Sequence, residues 1–200
     1  MSTAVMLPTL PLELLANEIC HYMDADLNRV AKSCENRMQF YDIHKYFDCK
    51  IIFFDEKVFT NQELLHISKD LGLKPDLIHQ DELSAVLHHA DILSIHLPLL
   101  PETEDIISTK ELSLLKPSIS IINTARGGIV NEFALHAFLS SKPDSFAAFD
   151  VYAEEPAIEN PLFKLPNFFG TSHRSSLTHE GINAMGLAAI TGLDDNKILT

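Results

Sequence analysis

The pattern of apolar and polar positions changes near residue 48. Before it, apolar residues recur at helical spacing and predict two helices between residues 10 and 47. After it come short apolar runs without polar alternation, which begin at residues 50, 77, 92, 120 and 147, with a weaker run at 168. Helical patterns lie between these runs, at 61–71, 81–89, 109–115 and 131–141. The alternation predicts an α/β fold in which helices cover both faces of a parallel sheet.

Net charge, apolar stretches and cysteine spacing limit which kinds of protein and of binding partner we expect. The formal net charge of −13 is unfavourable for a surface that binds nucleic acid, because phosphates attract clustered Lys and Arg. No apolar stretch approaches the roughly 18 residues of a membrane span, so we expect no membrane partner. Three cysteines, Cys20, Cys34 and Cys49, are too irregularly spaced for a disulfide framework or a zinc site. We therefore expect a cytoplasmic protein without a metal.

Polar residues follow the predicted strands, at the edge of a parallel sheet where ligands bind. Asp55 closes the first run, and a carboxylate there suits the ribose hydroxyls of an adenosine or, equally, the cap of a helix. Arg126 precedes two glycines, so that its guanidinium is placed to bind a carboxylate, although a surface arginine beside a turn gives the same pattern. His173 and Glu155 are candidates for an acid/base pair in which the carboxylate orients the imidazole.

Three ordered stretches carry a resemblance to a known family. They are DILSIHLPLLPET at 91–103, LKPSISIINTARGGIVNE at 115–132 and FDVYAEEP at 149–156. In their order and spacing they resemble the D-isomer-specific 2-hydroxyacid dehydrogenases, from about His44 to Asp194. The resemblance implies a Rossmann-like sheet flanked by helices, NAD as the cofactor and a small 2-hydroxy or 2-keto acid as the substrate.

The resemblance also implies a role for each matching residue. Arg126 would hold the substrate carboxylate, His173 would be the acid/base at the C2 oxygen, and Glu155 would orient His173. The remaining implied positions face the cofactor: Asp55 at the adenosine ribose, Leu97, Pro98 and Thr103 on the adenine and phosphate side, and Thr124, Ala125, Arg126 and Asp150 at the nicotinamide. Asp55 favours NAD over NADP, because a carboxylate repels a 2′-phosphate.

The sequence departs from the family where the cofactor's pyrophosphate should bind. The family opens this domain with a strand and Gly-x-Gly-x-x-Gly, but residues 33–42 contain no glycine, and the first glycine of the chain is Gly72. We therefore expect a helical N-terminal segment at 1–43 and a partial Rossmann-like domain at 44–200. Its sheet should be incomplete at the first, central strand unless another segment or chain fills the gap. We expect no counterpart of the family's separate substrate domain, and Ser172 stands where the family usually has a proline before the histidine.

Three functions remain open from the sequence. The first is an NAD-dependent 2-hydroxyacid oxidoreductase whose activity depends on binding NAD without the glycine loop. The second is a non-catalytic module of the same fold, in which an apolar gap at the missing strand drives dimerisation or partner capture. The third is a remnant of a longer reading frame whose first 43 residues never completed the sheet. A homo-oligomer is expected under the first two.

Overall fold

A computed structural model gives the architecture of part of the chain. The structure describes residues 2–5, 51–54, 60–62, 64–65, 77–174, 177, 179, 182–183, 185–187 and 189–190. The predicted helices between 10 and 47, the three cysteines and Asp55 lie outside the described residues. The boundary at residue 43 therefore stays a prediction.

Seven strands form one sheet in the described part of the chain. They are β1 (Ser2–Val5), β2 (Ile51–Phe54), β3 (Leu77–Gln80), β4 (Ile92–Ile95), β5 (Ser120–Asn123), β6 (Phe146–Phe149) and β7 (Phe168–Gly170). Their order across the sheet is β3-β2-β1-β4-β5-β6-β7, which is the doubly wound order with one strand added at the end. All pairs except the two that involve β1 are parallel. The predicted α/β class is confirmed, with a mixed sheet at its centre.

In the described part of the chain, helices with complete bounds follow β3, β4 and β5 as the alternation predicts, and a 3-10 turn that the sequence analysis did not predict follows β6. Helix α1 spans Leu83–His89, α2 spans Thr109–Leu112, α3 spans Glu132–Ser141, and the 3-10 turn spans Pro161–Lys164. The Asn131 side chain accepts a hydrogen bond from the backbone N–H of Ala134 and so fixes where α3 begins. None of the helices described is long and apolar enough to cross a membrane.

The core lies between the central strands and these helices. Every residue of β4 and β5 is buried, as expected for strands covered on both faces. Leu87 of α1 and Leu135 and Leu139 of α3 are buried against them, with exposures of 1% or less. This packing holds the carboxyl ends of β4 to β7 on one edge, where the candidate site forms.

The central strand β1 corrects two expectations about the first residues. The sheet is not left open at its centre, because Ser2–Val5 pairs with both β2 and β4. These four residues are also a strand, whereas we expected a helical segment at 1–43. The physical reason is that β2 and β4 each present a row of backbone N–H and C=O groups, which are costly to bury without partners. A four-residue strand has too little pattern to be recognised from the sequence.

The direction of β1 is opposite to that of its neighbours. Ser2 pairs with Phe54 and Ile95, at the carboxyl ends of β2 and β4, whereas Val5 pairs with Ile51 and Ile92, at their amino ends. The chain therefore leaves β1 at the edge opposite to the candidate site.

Candidate active site

The three predicted catalytic residues lie on the same edge of the sheet. Arg126 follows β5, Glu155 follows β6 and His173 follows β7. These strands are parallel neighbours, so their carboxyl ends meet at one edge. The structure therefore places Arg126, Glu155 and His173 at one edge of the sheet, and their catalytic roles stay predictions.

Glu155 and His173 form a direct ion pair or hydrogen bond. Nδ1 of His173 lies 2.8 Å from Oε2 of Glu155, and the backbone N–H of Tyr152 donates to Oε1 at 3.1 Å. The hydrogen bond with His173 holds the pKa of the Glu155 carboxyl below its ordinary value. Glu155 is thus fixed through both oxygens and remains ionised beside the imidazole. With Nδ1 engaged, Nε2 is the ring nitrogen that can face a substrate.

Asp150 anchors the loop that carries His173. Its carboxylate is fully buried, and Oδ1 accepts from the Thr171 hydroxyl at 2.5 Å and from the backbone N–H of Arg174 at 2.9 Å. These two contacts flank His173, whose φ of 50° lies in the left-handed region that non-glycine residues seldom adopt. Asp150 therefore stabilises an uncommon backbone conformation at the candidate acid/base.

Asn123 holds the loop that carries Arg126. Its buried side chain donates to the carbonyl of Arg126 at 3.0 Å and accepts from the N–H of Ala125 at 3.0 Å. The loop also touches the segment of Glu155, since a Cβ added at Gly127 would lie 1.8 Å from the carbonyl oxygen of Tyr152. The sequence analysis did not select Asn123 as a site residue. The signal available was a polar residue at the end of the short run Ser120-Ile121-Ile122.

A pocket of about 730 Å³ opens beside the Glu155–His173 pair. Its lining combines that pair with the apolar side chains of Ile158 and Phe163. Tyr152 also lines it, with a hydroxyl that donates to the carbonyl of Phe149 at 3.1 Å. Burial raises the pKa of the Tyr152 phenol, which therefore stays neutral. Such a pocket has the size and mixed lining of a small-molecule site.

Arg126 is not among the residues that line this pocket. It is exposed, and its Nη1 donates to the carbonyl of Ala125 at 2.6 Å. The structure thus brings Glu155 and His173 into contact and places Arg126 on the same edge, in the adjoining loop.

The predicted cofactor residues fall into two groups. Thr124 and Ala125, which the resemblance assigns to the nicotinamide, are partly buried in the Arg126 loop. Thr103 is buried and tied to its own turn, since its hydroxyl donates to the carbonyl of Pro98 at 2.6 Å and accepts from the N–H of Leu100 at 2.8 Å. Its observed contacts are those of a turn-forming residue, with Leu97 partly buried and Pro98 exposed beside it.

The residues present fit one side of a dinucleotide better than the other. The Arg126 loop and the Glu155–His173 pair, which the resemblance assigns to the nicotinamide and the substrate, lie on one edge of the sheet. On the pyrophosphate side, β1 runs the wrong way to lead into a phosphate-binding turn, and no glycine precedes Gly72. The sequence therefore has no glycine turn before Gly72 through which backbone amides could approach a pyrophosphate closely.

Comparisons with known proteins agree with the class that this fold and site define. Residues 38–175 match the family "D-isomer specific 2-hydroxyacid dehydrogenase, NAD binding domain". The chain therefore belongs to this family of NAD-binding domains. The match begins upstream of β2 and ends just beyond His173, so it contains every candidate site residue.

Individual relatives are named as dehydrogenases and reductases. The chain is 39% identical over 121 residues to D-3-phosphoglycerate dehydrogenase of Methanocaldococcus jannaschii, covering 60% of this chain and 23% of that protein. It is 39% identical over 104 residues to glyoxylate reductase of Thermococcus litoralis, covering 52% and 31%. Among solved structures, an NAD-complexed D-isomer specific 2-hydroxyacid dehydrogenase from Lactobacillus delbrueckii ssp. bulgaricus aligns with a TM-score of 0.64 and 28% identity, covering 78% and 48%.

The chain spans less than half the length of each of these relatives. All of them are named as oxidoreductases, so the comparisons do not favour the alternative of a non-catalytic module. NAD is the cofactor of the family, and the NAD-complexed neighbour shares this fold.

Proposed function

We propose that this chain supplies the acid/base and nicotinamide side of an oxidoreductase that interconverts 2-hydroxy and 2-keto acids with NAD. The observation that carries the proposal is the 2.8 Å contact between His173 and Glu155 at the mouth of a pocket. Two loops flank the contact, and buried Asn123 and Asp150 hold them in place. Substrate binding by Arg126 and contacts of Thr124, Ala125 and Asp150 with the nicotinamide are parts of this proposal.

The chemistry of each residue follows from its geometry. Arg126 binds the substrate carboxylate through its planar fork and thereby orients the C2 carbonyl. His173 transfers the proton to the C2 oxygen as the keto acid is reduced, and removes it in the reverse direction. Glu155 stabilises the charged imidazole and fixes its orientation through Nδ1. The hydride that completes the reduction is what bound NADH supplies.

The first test is an assay on the purified full chain. Glyoxylate and hydroxypyruvate are suitable substrates, since they appear in the names of relatives. We expect NADH to be oxidised in their presence, with the loss of absorbance as the readout. His173→Asn suits the left-handed backbone and retains a donor near Nδ1, but it cannot deliver the proton, so its rate should fall by about 10²-fold or more. His88→Asn, at an exposed position of α1, is the control.

A second variant tests the substrate contact. Arg126→Lys retains the charge but loses the two-bond fork, so KM for the keto acid should rise by about tenfold or more with little change in the affinity for NADH. Equal rates in wild type and His173→Asn would contradict proton transfer by His173. An unchanged KM in Arg126→Lys would contradict substrate binding by Arg126.

The proposal also includes a homo-oligomeric state and a cytoplasmic location. A homo-oligomer is supported by apolar side chains near the end of the described chain that are more than half exposed: Leu177, Ile182, Leu187 and Ile190. Light scattering during size-exclusion chromatography tests it, and a monomer at all concentrations contradicts it. A cytoplasmic location is supported by the cysteine pattern, and cell fractionation with an antibody to the chain tests it.

A further inference from the structure

The reversed central strand bears on how much of the cofactor this chain recognises. NAD consists of nicotinamide mononucleotide and adenylate, joined through a pyrophosphate. In a doubly wound site, the pyrophosphate is held by the glycine turn that follows the central strand. That turn needs the chain to leave the strand at the carboxyl edge of the sheet, beside the ends of β2 and β4.

In this chain the central strand cannot provide that turn. Ser2, its first residue, lies between Phe54 and Ile95 at the carboxyl edge, and Val5, its last, lies between Ile51 and Ile92 at the opposite edge. β1 therefore ends on the wrong side of the sheet for a turn towards the phosphates. Its direction alone removes the backbone amides that would approach the phosphates.

The sequence leads to the same result by an independent route. No glycine occurs before Gly72, so a Cβ stands at every position that could follow the central strand. A Cβ prevents the close approach of backbone to phosphate that glycine allows. Asp55, the residue predicted for the adenosine ribose, would then be a single contact without its neighbouring phosphate grip.

The loops that the proposal assigns to the nicotinamide side are built differently. The Arg126 loop is fixed by two hydrogen bonds with Asn123 and by contact of Gly127 with Tyr152. The His173 loop is fixed by two hydrogen bonds to Asp150. Both loops depend on β5, β6 and β7, which are parallel and do not contact β1 in the strand order.

We infer that this chain recognises the nicotinamide mononucleotide half of the cofactor and gains little affinity from the adenylate half. The inference rests on the proposed function, because it assumes that a reduced nicotinamide ring binds beside His173. It distinguishes this chain from an ordinary dinucleotide site, in which the two halves and the pyrophosphate all contribute.

Binding measurements on the full chain test the inference without an activity assay. The dissociation constants of NADH and of reduced nicotinamide mononucleotide are compared by the fluorescence of the reduced ring and by calorimetry. We expect the two constants to agree within about tenfold, which corresponds to no more than about 1.4 kcal/mol. ADP-ribose, which carries the adenylate and pyrophosphate but no nicotinamide, should fail to displace the reduced mononucleotide at about 100-fold excess.

The possible results separate this inference from the proposed function. NADH binding more than about tenfold tighter than the mononucleotide, or displacement by ADP-ribose, would overturn the inference and leave the oxidoreductase proposal standing. If neither reduced ligand binds at millimolar concentration, both proposals fail. Similar affinities and no effect of ADP-ribose support both.

Discussion

Nδ1 of His173 lies 2.8 Å from Oε2 of Glu155, and the second oxygen of Glu155 accepts the backbone N–H of Tyr152. The hydrogen bond with His173 is the largest cause of the lowered pKa of Glu155. A carboxyl with a lowered pKa adds stability above its ordinary pKa, and this stability is lost as the pH falls through the lowered value. Because the hydrogen bond joins the loop of Glu155 to the loop of His173, the stability of both loops depends on the ionisation of Glu155.

Removing the imidazole should raise the pKa of Glu155 towards its ordinary value. His173→Gly is the suitable variant, because glycine adopts the positive φ without strain and leaves Glu155 without its partner. The measurement is a carbon-13 NMR titration of the Glu155 carboxyl. In His173→Asn, whose amide retains a donor, the pKa should lie between the values of wild type and His173→Gly. A Glu155 pKa that is the same in all three proteins contradicts the contact.

Gly127 and Gly186 differ in the space that is available for a side chain. A Cβ at Gly127 would collide with the carbonyl of Tyr152, while a Cβ at Gly186 would meet nothing within 4 Å. Gly127→Ala should therefore lower the free energy of unfolding by about 2 kcal/mol or more. Gly186→Ala, at a helical position, should leave it unchanged or raise it by up to about 1 kcal/mol. Urea unfolding measures both, and equal stabilities would show that the Arg126 loop does not rest on Tyr152.

Asp150 should act as a positioning residue for His173. Asp150→Ala leaves the Thr171 hydroxyl and the Arg174 N–H without their acceptor, and the loss of these part-buried hydrogen bonds should cost about 0.5–1.5 kcal/mol each. We expect a lower free energy of unfolding and, as the more specific sign, a Glu155 pKa that rises because His173 moves away. Thr171→Ser retains the hydroxyl and is the control. A destabilised Asp150→Ala protein with an unchanged Glu155 pKa would limit Asp150 to a role in folding.

Burial lowers the pKa of His96 to about 3, with Nε2 2.8 Å from the hydroxyl of buried Ser94. Between that value and the ordinary histidine pKa near 6.5, the unfolded chain binds a proton that the folded chain does not. Stability should therefore fall as the pH is lowered through this window and level off above it. His96→Gln should weaken this dependence in urea unfolding at several pH values, whereas His88→Gln should not. An identical pH dependence in His96→Gln contradicts the assignment.

The pairing of β1 on both sides predicts a strong effect of proline within it. Thr3 pairs with Phe53 and Ser94. Thr3→Pro removes a backbone donor from a central strand and should cost about 3 kcal/mol or more. Thr3→Val retains the N–H and the β-branched shape, so it should have little effect. If both variants unfold at the wild-type urea concentration, Ser2–Val5 does not occupy the centre of the sheet.

The sequence by itself determined the alternation of strands and helices after residue 48, because buried parallel strands need uninterrupted apolar runs. It also placed Arg126, Glu155 and His173 at the ends of strands, since short motifs are local and keep their spacing. Only the tertiary structure decided that Glu155 touches His173 and that Asp150 and Asn123 hold the two loops, because these contacts depend on how separate strands pair. The same reason applies to β1. Four residues contain no signal for the two distant strands that they join, or for the direction in which they run between them.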